Sequence, residues 1–433
     1  MPKGQSSGRE IKVDYLARVE GESGLYVRIT RGQVTDVQLN IVEPPRLFEA
    51  FLVGRSFEEL PDLTARVCGI CPVAYQMSSV HAAEDAFDVL VTGQLRQLRR
   101  LLYLGEWIES HVLSIYLLAA PDFLGYESAL AMANDYPEVV KRGLALKRLG
   151  NDILSLLGGR EIHPVSVKIG GFYRVPTKNE LASLEPRLRL GKEDALRTLE
   201  WVAALPLPAL SLNREFVALS HPDEYAINEG RVVSSKGLDI PVQEFTEYFV
   251  EEQVSHSNAL RTKLRGERAY FVGPLARVNL NFDHLSSDAQ AAAHASGIGF
   301  PNLNSFTSIV ARAIEVVHCV DEAMRIIQEY ERPEPYVQVM PRAGTGFGLT
   351  EAPRGMLYHS YQFDEQGLIK NARMIPPTAQ NQYQIEDDLR AYVPQVIDLP
   401  LDEATQRCEM VVRNYDPCNS CSTHLLRLHV ERT

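Results

Sequence analysis

The chain has 433 residues, of which 45% are hydrophobic and 23% are charged, so it can bury a large core. Acidic residues outnumber basic residues by 56 to 44, which gives a net charge of −12. Since no run of lysine and arginine is dense enough to follow a phosphate backbone, nucleic acid is excluded as an expected ligand.

The N-terminus gives no sign of export or of a membrane anchor. The first ten residues, "MPKGQSSGRE", lack the apolar core of a signal peptide. No later run approaches the roughly 18 apolar residues that a membrane span requires. We therefore expect a cytoplasmic protein with no direct membrane span. Six cysteines are too few for a disulfide scaffold, so paired thiols are expected to bind metal or do redox chemistry.

Extended segments are predicted first, in a β-hairpin region over residues 1–45. Two runs rich in β-branched residues, "GLYVRIT" (24–30) and "QVTDVQLNIV" (33–42), flank a turn at Arg31 and Gly32. This pattern is typical of two antiparallel strands joined by a short turn.

Helices are predicted to dominate the next part of the chain, over residues 56–205 and 303–331. Apolar residues recur every three or four positions from Leu95 to Leu118 and again from Phe306 to Ile327. The recurring apolar residues form one face of each helix. Because both stretches also carry apolar residues outside that face, we expect a buried helical bundle.

The remaining segments are mixed in type. Residues 206–302 are punctuated by proline and glycine, and no element is assigned to them. A second hairpin is predicted from Leu357 to Ile375, within a C-terminal region over 340–433. The expected whole is a single large domain over 1–433, mainly α with small β elements, that is, an α+β fold.

Two Cys-x-x-Cys pairs near opposite ends of the chain carry the strongest functional signal. They lie in "TARVCGICPVAYQ" (64–76) and "DPCNSCSTH" (416–424). Pro72 directly follows Cys71, which predicts a helix N-terminus at that cysteine, where the helix dipole favours a thiolate. Pro417 predicts a turn before the second pair, and His424 adds a further donor beyond it.

Three uses of the paired thiols stay open at this point. A redox-active dithiol requires a βαβ context and leaves the second pair unexplained. A structural zinc site accepts four thiolates, although its ligands usually lie within one short module. An iron–sulfur cluster also fits the softness of the ligands. The pairs together predict a metal site without deciding the metal, whereas the isolated Cys319 and Cys408 are expected to pack in the core.

The two cysteine segments resemble the signature motifs of nickel–iron hydrogenase large subunits, whose helical fold is shared with the 49-kDa subunit of respiratory complex I. The resemblance extends over nearly the whole chain. Further matching segments follow in order: "ARVEGESGL" (17–25), "FEAFLVGR" (48–55), "SHVLSIYLLAAPDFLG" (110–125), "GGREIHPVSVKIGGF" (158–172), "EAPRGMLYH" (351–359) and "PPTAQN" (376–381).

The resemblance implies a set of metal ligands. Cys68 and Cys418 would bind nickel terminally, while Cys71 and Cys421 would bridge nickel to an iron that carries cyanide and carbon monoxide, a Ni-Fe(CN)2(CO) centre. Four soft thiolates suit these metals. A separate Mg2+ or similar hard cation would be bound by Glu49, His424 and the backbone carbonyl of Met374.

The resemblance also assigns residues around the metals. Arg354 would hang over the open metal position, and Pro353, Leu357, Pro377 and Thr378 would complete the pocket for the diatomic ligands. Glu20 would exchange protons with Cys418, which together with Arg354 makes three catalytic residues. Without the family, Arg354 is most simply a surface ion-pair residue, Pro353 a turn residue and Glu20 a solvated strand residue.

Two positions depart from the family pattern. Glu22 stands where many members have histidine, a change from which we expect little effect. Ser110 stands where respiratory uptake members commonly have aspartate. The second change removes a carboxylate from the surroundings of Arg354, so we expect the hydrogen-bond support of that guanidinium to differ.

The implied activity is reversible heterolytic cleavage of H2, in which a metal takes the hydride and a base takes the proton. Four of the six cysteines belong to one site, so electrons would leave through an iron–sulfur small subunit. The sequences of the segments "ARVEGESGL" and "CGICPVAYQMSS" are most similar to those of the cytoplasmic bidirectional, sulfhydrogenase-type branch. Enzymes of that branch pair with a flavin-containing diaphorase linked to NAD(P). A maturation endopeptidase would remove the tail 425–433. The alternatives are a hydrogen-sensing relative and a metal-free complex I-type quinone-reactive subunit, against which the retained cysteines argue.

Overall fold

The computed structural model describes residues 9–423. Its N-terminal part is a three-stranded antiparallel sheet in the order β1-β2-β3. The strands are Arg9–Val13 (β1), Ser23–Thr30 (β2) and Gln33–Ile41 (β3). The predicted pairing of 24–30 with 33–42 is confirmed. The edge strand β1 was not predicted, because its five residues are few, and only Ile11 among them is buried.

Helices follow the sheet. The first seven are Phe48–Leu52 (α1), Leu60–Ala65 (α2), Pro72–Phe87 (α3), Gly93–Leu113 (α4), Ala120–Leu124 (α5), Ala129–Asp135 (α6) and Pro137–Gly158 (α7). A π-helical segment, Ser114–Ala119, joins α4 to α5. The predicted helix from Leu95 to Leu118 therefore has a break in its hydrogen-bond pattern near residue 114.

The middle of the chain alternates short strands and helices. Two paired strands of two residues each come first, and two helices follow them: Val167–Lys168 (β4), Gly171–Phe172 (β5), Lys178–Ala182 (α8) and Glu185–Ala203 (α9). The segment that was left unassigned contains Val217–Ser220 (β6), Arg231–Ser234 (β7), Asp239–Ile240 (β8), Phe245–Tyr248 (α10), Phe249–Gln253 (β9), Leu260–Leu264 (β10), Pro274–Asn281 (α11) and Ser287–Ala295 (α12). Single 3-10 turns lie at Phe57–Glu59, Val242–Glu244, Phe282–His284 and Ser305–Thr307.

The C-terminal third holds a long helix, a sheet and three further helices. Its elements are Ser308–Gln328 (α13), Gly344–Ala352 (β11), Gly355–Phe363 (β12), Ile369–Ile375 (β13), Pro377–Val396 (α14), Leu401–Asn414 (α15) and Asn419–Ser422 (α16). The sheet is antiparallel in the order β11-β12-β13. The predicted hairpin from 357 to 375 is confirmed as β12 and β13, with Tyr358 opposite Ile375.

The two long predicted helices lie together in the centre of the molecule. Helix α4 packs against α7 and α13, and α3 packs against β11. A side chain at Gly150 would come within 2.6 Å of the carbonyl oxygen of Gly105, so these glycines let α7 and α4 cross closely. The predicted buried bundle is confirmed. In the part of the chain that the structure describes, no helix combines the length and apolarity needed to cross a bilayer.

A buried ionic cluster ties this bundle to β11. Arg277 Nε and Nη2 donate to the two carboxylate oxygens of Glu315 at 2.7 and 2.8 Å, and Nη1 donates to Glu351 at 3.0 Å. All three side chains are fully buried, and the guanidinium lies 4.1 Å from the ring centroid of Trp107. Arg277 also donates to the carbonyl oxygens of Ala352 and Pro353.

Arg277→Met is expected to destabilise the fold by about 3–5 kcal/mol, because it leaves two buried carboxylates without their cation. The matched control is Arg231→Met, whose partner Asp239 is 61% exposed and whose loss should cost less than about 1 kcal/mol. Chemical denaturation of both variants measures the difference. Equal shifts of the two midpoints would contradict the buried-cluster argument.

Candidate metal centre

The four cysteines of the two pairs meet at one buried point. Cys68 and Cys418, 350 residues apart, have sulfurs 3.7 Å from each other, and Cys71 and Cys421 have sulfurs 4.0 Å apart. Within the pairs the separations are 2.9 Å for Cys68 to Cys71 and 2.8 Å for Cys418 to Cys421. All four sulfurs lie within 4.8 Å of one another, and each residue is at most 4% exposed.

The first pair is held by the start of α3. Cys71 occupies the N-cap position and Pro72 the first helical position, as the sequence predicts. The backbone N–H groups of Ile70 and Cys71 donate to the sulfur of Cys68 at 3.4 and 3.2 Å. Backbone donors of this kind stabilise a thiolate over a thiol.

The second pair is held by a turn and the short helix α16. Asp416 has a φ of 54°, which turns the chain before Pro417, and Cys418 is the N-cap of α16. The N–H of Cys418 donates to Thr378 Oγ1 at 2.9 Å. Thr378 therefore anchors the second pair to the start of α14, a contact between residues 40 positions apart.

The pKa values of the clustered thiols shift in opposite directions. Hydrogen bonds from Cys418 and Cys421 lower the pKa of Cys68, whereas burial raises the pKa of Cys418 well above its usual range. Cys408 is buried among apolar residues, and burial raises its pKa to about 12. Metal binding must therefore release protons from the four-thiol site, while the isolated thiol stays protonated.

A carboxylate touches this cluster. The sulfur of Cys418 donates to Glu20 Oε2 at 2.9 Å, and the N–H of Ser420 donates to the same oxygen at 3.1 Å. The N–H of Asn419 donates to the backbone oxygen of Glu20. A side chain at Gly21 would lie 2.9 Å from the nitrogen of Ser420, so glycine permits this close approach. Glu20 is partly exposed and links the buried sulfur towards the surface.

Arg354 is buried beside the thiols and not on the surface. Its Nε donates to the carbonyl oxygen of Asp416 at 2.7 Å, and its Nη2 pairs with Asp416 Oδ1 at 3.2 Å. Ser110 Oγ lies 3.5 Å from Nη1. Burial alone would lower the pKa of Arg354, but Asp416 and Cys418 more than offset it and hold that pKa above its usual range. The carboxylate that pairs with Arg354 in this chain is therefore that of Asp416, whereas Ser110 offers Arg354 only a hydroxyl.

A small closed cavity adjoins the sulfurs. It is lined by Cys71, Tyr75, Ala352, Arg354, Leu357, Pro377, Thr378, Cys418 and Cys421. Leu357, Pro377, Thr378 and Arg354 were predicted around this cavity. Pro353 lies in the turn beside it, and its carbonyl oxygen accepts from Arg277.

A second group of predicted ligands lies near the last described residues. Glu49 is buried on α1, and its Oε1 accepts the N–H of Met374 at 2.6 Å. The structure therefore brings together two of the three residues predicted to hold a hard cation. The third, His424, lies outside the described residues, as does the tail 425–433.

Comparison with known proteins gives one consistent result. The model of the nickel-dependent hydrogenase family matches residues 46–143 and 241–424. The alpha subunit of sulfhydrogenase 1 from Pyrococcus furiosus is 34% identical over 429 residues, covering 96% of this chain and 98% of that subunit. This chain belongs to the nickel-dependent hydrogenase family. The predicted family is confirmed.

Two further relatives bear on this hydrogenase. The beta subunit of the NAD-reducing hydrogenase HoxS from Cupriavidus necator is 26% identical, covering 96% of this chain and 95% of that subunit. A crystal structure of an NAD+-reducing [NiFe]-hydrogenase in the H2-reduced state superposes with a TM-score of 0.86 at 26% identity, covering 97% and 100%. The predicted fold class, mainly α with small sheets in the hydrogenase large-subunit fold, is confirmed.

The site of this hydrogenase fits a nickel–iron centre by its donor chemistry. Four soft sulfurs converge at one metal-binding point, and the adjoining cavity has mainly apolar walls with Tyr75, Arg354 and Thr378 as its residues with polar groups. Such a cavity suits small diatomic ligands that need a few fixed donors. The role of each individual ligand stays a prediction.

Sequence reasoning missed three residues of the hydrogenase site. Asp416 pairs with Arg354, while Tyr75 and Ala352 line the cavity. Asp416 and Tyr75 stand inside the two cysteine segments, so their proximity to the sulfurs was visible in the sequence. The pairing of Asp416 with Arg354 could not be seen in the sequence, because the two residues are 62 positions apart.

Proposed function

We propose that this chain is the catalytic subunit of a nickel–iron hydrogenase, an oxidoreductase that interconverts H2 with protons and electrons. The observation that carries the proposal is the buried set of four thiols, joined by Glu20 and Arg354, in a nickel-dependent hydrogenase chain. A metal-free quinone-reactive subunit would have no use for four converging thiols.

Each ligand has a proposed role. The four cysteines would hold the nickel–iron centre, with Cys68 and Cys418 as ligands of nickel and with Cys71 and Cys421 as ligands of both metals. The sulfurs of Cys71 and Cys421 are 4.0 Å apart, a separation that two bridging thiolates can share. Arg354, Leu357, Pro377 and Thr378 line the cavity that would take the diatomic ligands of iron, and Pro353 would shape the turn that orients Arg354.

The proton route uses this chain's own groups. When bound, the nickel–iron centre supplies the Lewis-acidic metals that polarise H2 and accept its electron pair. The sulfur of Cys418 holds the proton and passes it over 2.9 Å to Glu20 Oε2. Because Asp416 keeps Arg354 cationic, Arg354 orients and donates hydrogen bonds, which favours Cys418 as the proton acceptor. The buried residues around the sulfurs exclude water from them, so the proton leaves the site through Glu20, which is partly exposed.

Electrons need a route outside this chain. Among residues 9–423, no second group of metal-ligating side chains accompanies the four thiols. Cys319 and Cys408 are buried singly on α13 and α15, as predicted for core residues. An iron–sulfur small subunit therefore takes the electrons, and a flavin-containing diaphorase linked to NAD(P) is the proposed onward acceptor. The NAD-reducing relatives support the NAD(P)-linked acceptor, and the sulfhydrogenase alpha subunit supports the sulfhydrogenase-type branch. The proposed enzyme is bidirectional and cytoplasmic.

Metal analysis of the purified native assembly tests the function. We expect nickel and iron at about one each per chain, together with H2-dependent reduction of an added dye and of NAD or NADP. Both metals without turnover would instead indicate a hydrogen-sensing relative. Zinc alone would contradict the proposal.

The second metal site and the tail are proposed to act together. Glu49, the carbonyl oxygen of Met374 and His424 would bind Mg2+ or a similar hard cation, for which carboxylate and carbonyl oxygens are suitable donors. A hydrogen bond from the N–H of Met374 to Glu49 already holds two of these residues together. A maturation endopeptidase removes residues 425–433 after nickel insertion, which frees the chain end at His424 to join that site.

Intact-mass measurement checks the removal of the tail. The nickel-loaded subunit from the native assembly is expected to end at or near His424, whereas a metal-free precursor should retain Thr433. An active, nickel-loaded chain that still ends at Thr433 would contradict processing.

A further inference from the structure

A buried glutamate on α4 holds the start of α3, directly after the first cysteine pair. Glu106 Oε2 accepts the N–H of Val73 at 2.6 Å, and Oε1 accepts the N–H of Ala74 at 3.1 Å. Cys71 is the N-cap of α3, but its side chain makes no capping hydrogen bond. Glu106 therefore supplies, from another helix, the cap that the chain does not supply locally.

The surroundings of Glu106 differ from those of other buried glutamates in the same core. Glu84 pairs with Arg99, Glu109 with Lys147 and Glu315 with Arg277. Glu106 is fully buried and forms no ion pair with any residue in the described range 9–423. Burial raises its pKa, whereas the N–H donors of Val73 and Ala74 favour the ionised form. Each of the two oxygens accepts an N–H, as the oxygens of a carboxylate do, so the geometry is that of the charged form. Its positive counterpart is the N-terminal end of the α3 dipole.

The position of Glu106 matters because the same helix end faces the metal-binding sulfurs. Two residues separate Cys71 from Ala74, and the loop before them presents the N–H groups of Ile70 and Cys71 to the sulfur of Cys68. Without a negative charge behind them, these donors and the helix dipole would withdraw electron density from both thiolates. A carboxylate at this place offsets the withdrawal and fixes the loop.

We propose that Glu106 is a positioning residue of the metal centre. Through Val73 and Ala74 it fixes the shape of the loop from Cys68 to Cys71, and its negative charge increases the electron density that these two thiolates donate to the metals. This inference rests on the proposed function, since it concerns the thiolates as ligands of a nickel–iron centre.

The test compares Glu106→Gln with Glu84→Gln in the native assembly. Both variants neutralise a buried glutamate of the same core, but Glu84 lies on α3 itself, thirteen residues beyond Cys71, and pairs with Arg99. The first readout is infrared absorption of the carbon monoxide and cyanide bound to iron. A smaller donation from the thiolates reduces back-donation from iron, so their stretching bands should move to higher wavenumber in Glu106→Gln and stay in place in Glu84→Gln.

The second readout is hydrogen exchange of the peptides that cover residues 68–76. Glutamine offers one acceptor oxygen where the carboxylate offers two, so exchange should accelerate there in Glu106→Gln and not in Glu84→Gln. Exchange rates and infrared bands like those of the wild type, in a nickel-loaded Glu106→Gln variant, would overturn the inference and leave the function intact. Absence of nickel and iron from the wild type would overturn the function, while the exchange experiment would still test the cap.

Glu106→Asp covers the case in which the glutamine variant takes up no metal. Aspartate keeps the charge and both acceptor oxygens, so metal loading and infrared bands should stay close to those of the wild type. Metal loss in Glu106→Asp equal to that in Glu106→Gln would show that the charge and its two acceptors are not what the site requires, and would overturn the inference.

Discussion

Serine in place of Cys68, Cys71, Cys418 or Cys421 should reduce H2 uptake and evolution to undetectable levels. A serine hydroxyl is a hard ligand that stays protonated at neutral pH, so it replaces neither a terminal nor a bridging thiolate. Each sulfur lies within 4.8 Å of the other three, which means that the loss of one opens the shared site. Hydrogen-dependent dye reduction and metal analysis of each variant provide the measurement.

Cys319→Ser is the matched control for this series. Cys319 is as buried as the four ligands but lies alone on α13, so its substitution should leave activity per nickel-loaded chain largely intact. The two sets separate a ligand effect from the general cost of placing a hydroxyl in the core. Wild-type turnover and full nickel content in any of the four ligand variants would contradict the ligand assignment.

The local parts of the site could be predicted from the sequence, because short-range rules determine them. Pro72 predicts the helix N-terminus at Cys71, and the structure places Cys71 at the N-cap of α3. The β-branched runs around Gly32 predict the first hairpin, and the structure pairs these two strands. In both cases the residues that decide the structure lie within a few positions of one another.

Long-range pairings could not be predicted in this way. Asp416 pairs with Arg354, and Arg277 pairs with both Glu315 and Glu351. These contacts join residues far apart in the chain, so no rule of residue spacing predicts them. The strands between 206 and 302 are two to five residues long, too short to show a period. Isolated β-bridges between residues far apart in the chain, such as that between Phe216 and Phe271, also hold this region in place. The resemblance to a family implies the ligands, whereas the contacts that hold these side chains in place are seen only in the fold.

Glu20→Gln should retain both metals yet slow turnover by on the order of 10²–10⁴-fold, because an amide cannot take up and release a proton at neutral pH. Glutamine is nearly isosteric and can still contact the sulfur of Cys418, so the four thiols should stay in place. Proton exit and metal binding are therefore expected to separate in this variant.

The measurement is H2 uptake per nickel, together with the exchange of deuterium gas with solvent protons. Both should fall together in Glu20→Gln, since each needs a proton to pass between the buried sulfur and water. Glu22→Gln is the control: it makes the same change two residues away on an exposed side chain and should keep wild-type rates. Normal turnover in Glu20→Gln would place the proton exit elsewhere, and loss of nickel would make Glu20 a structural support of Cys418 instead of a relay.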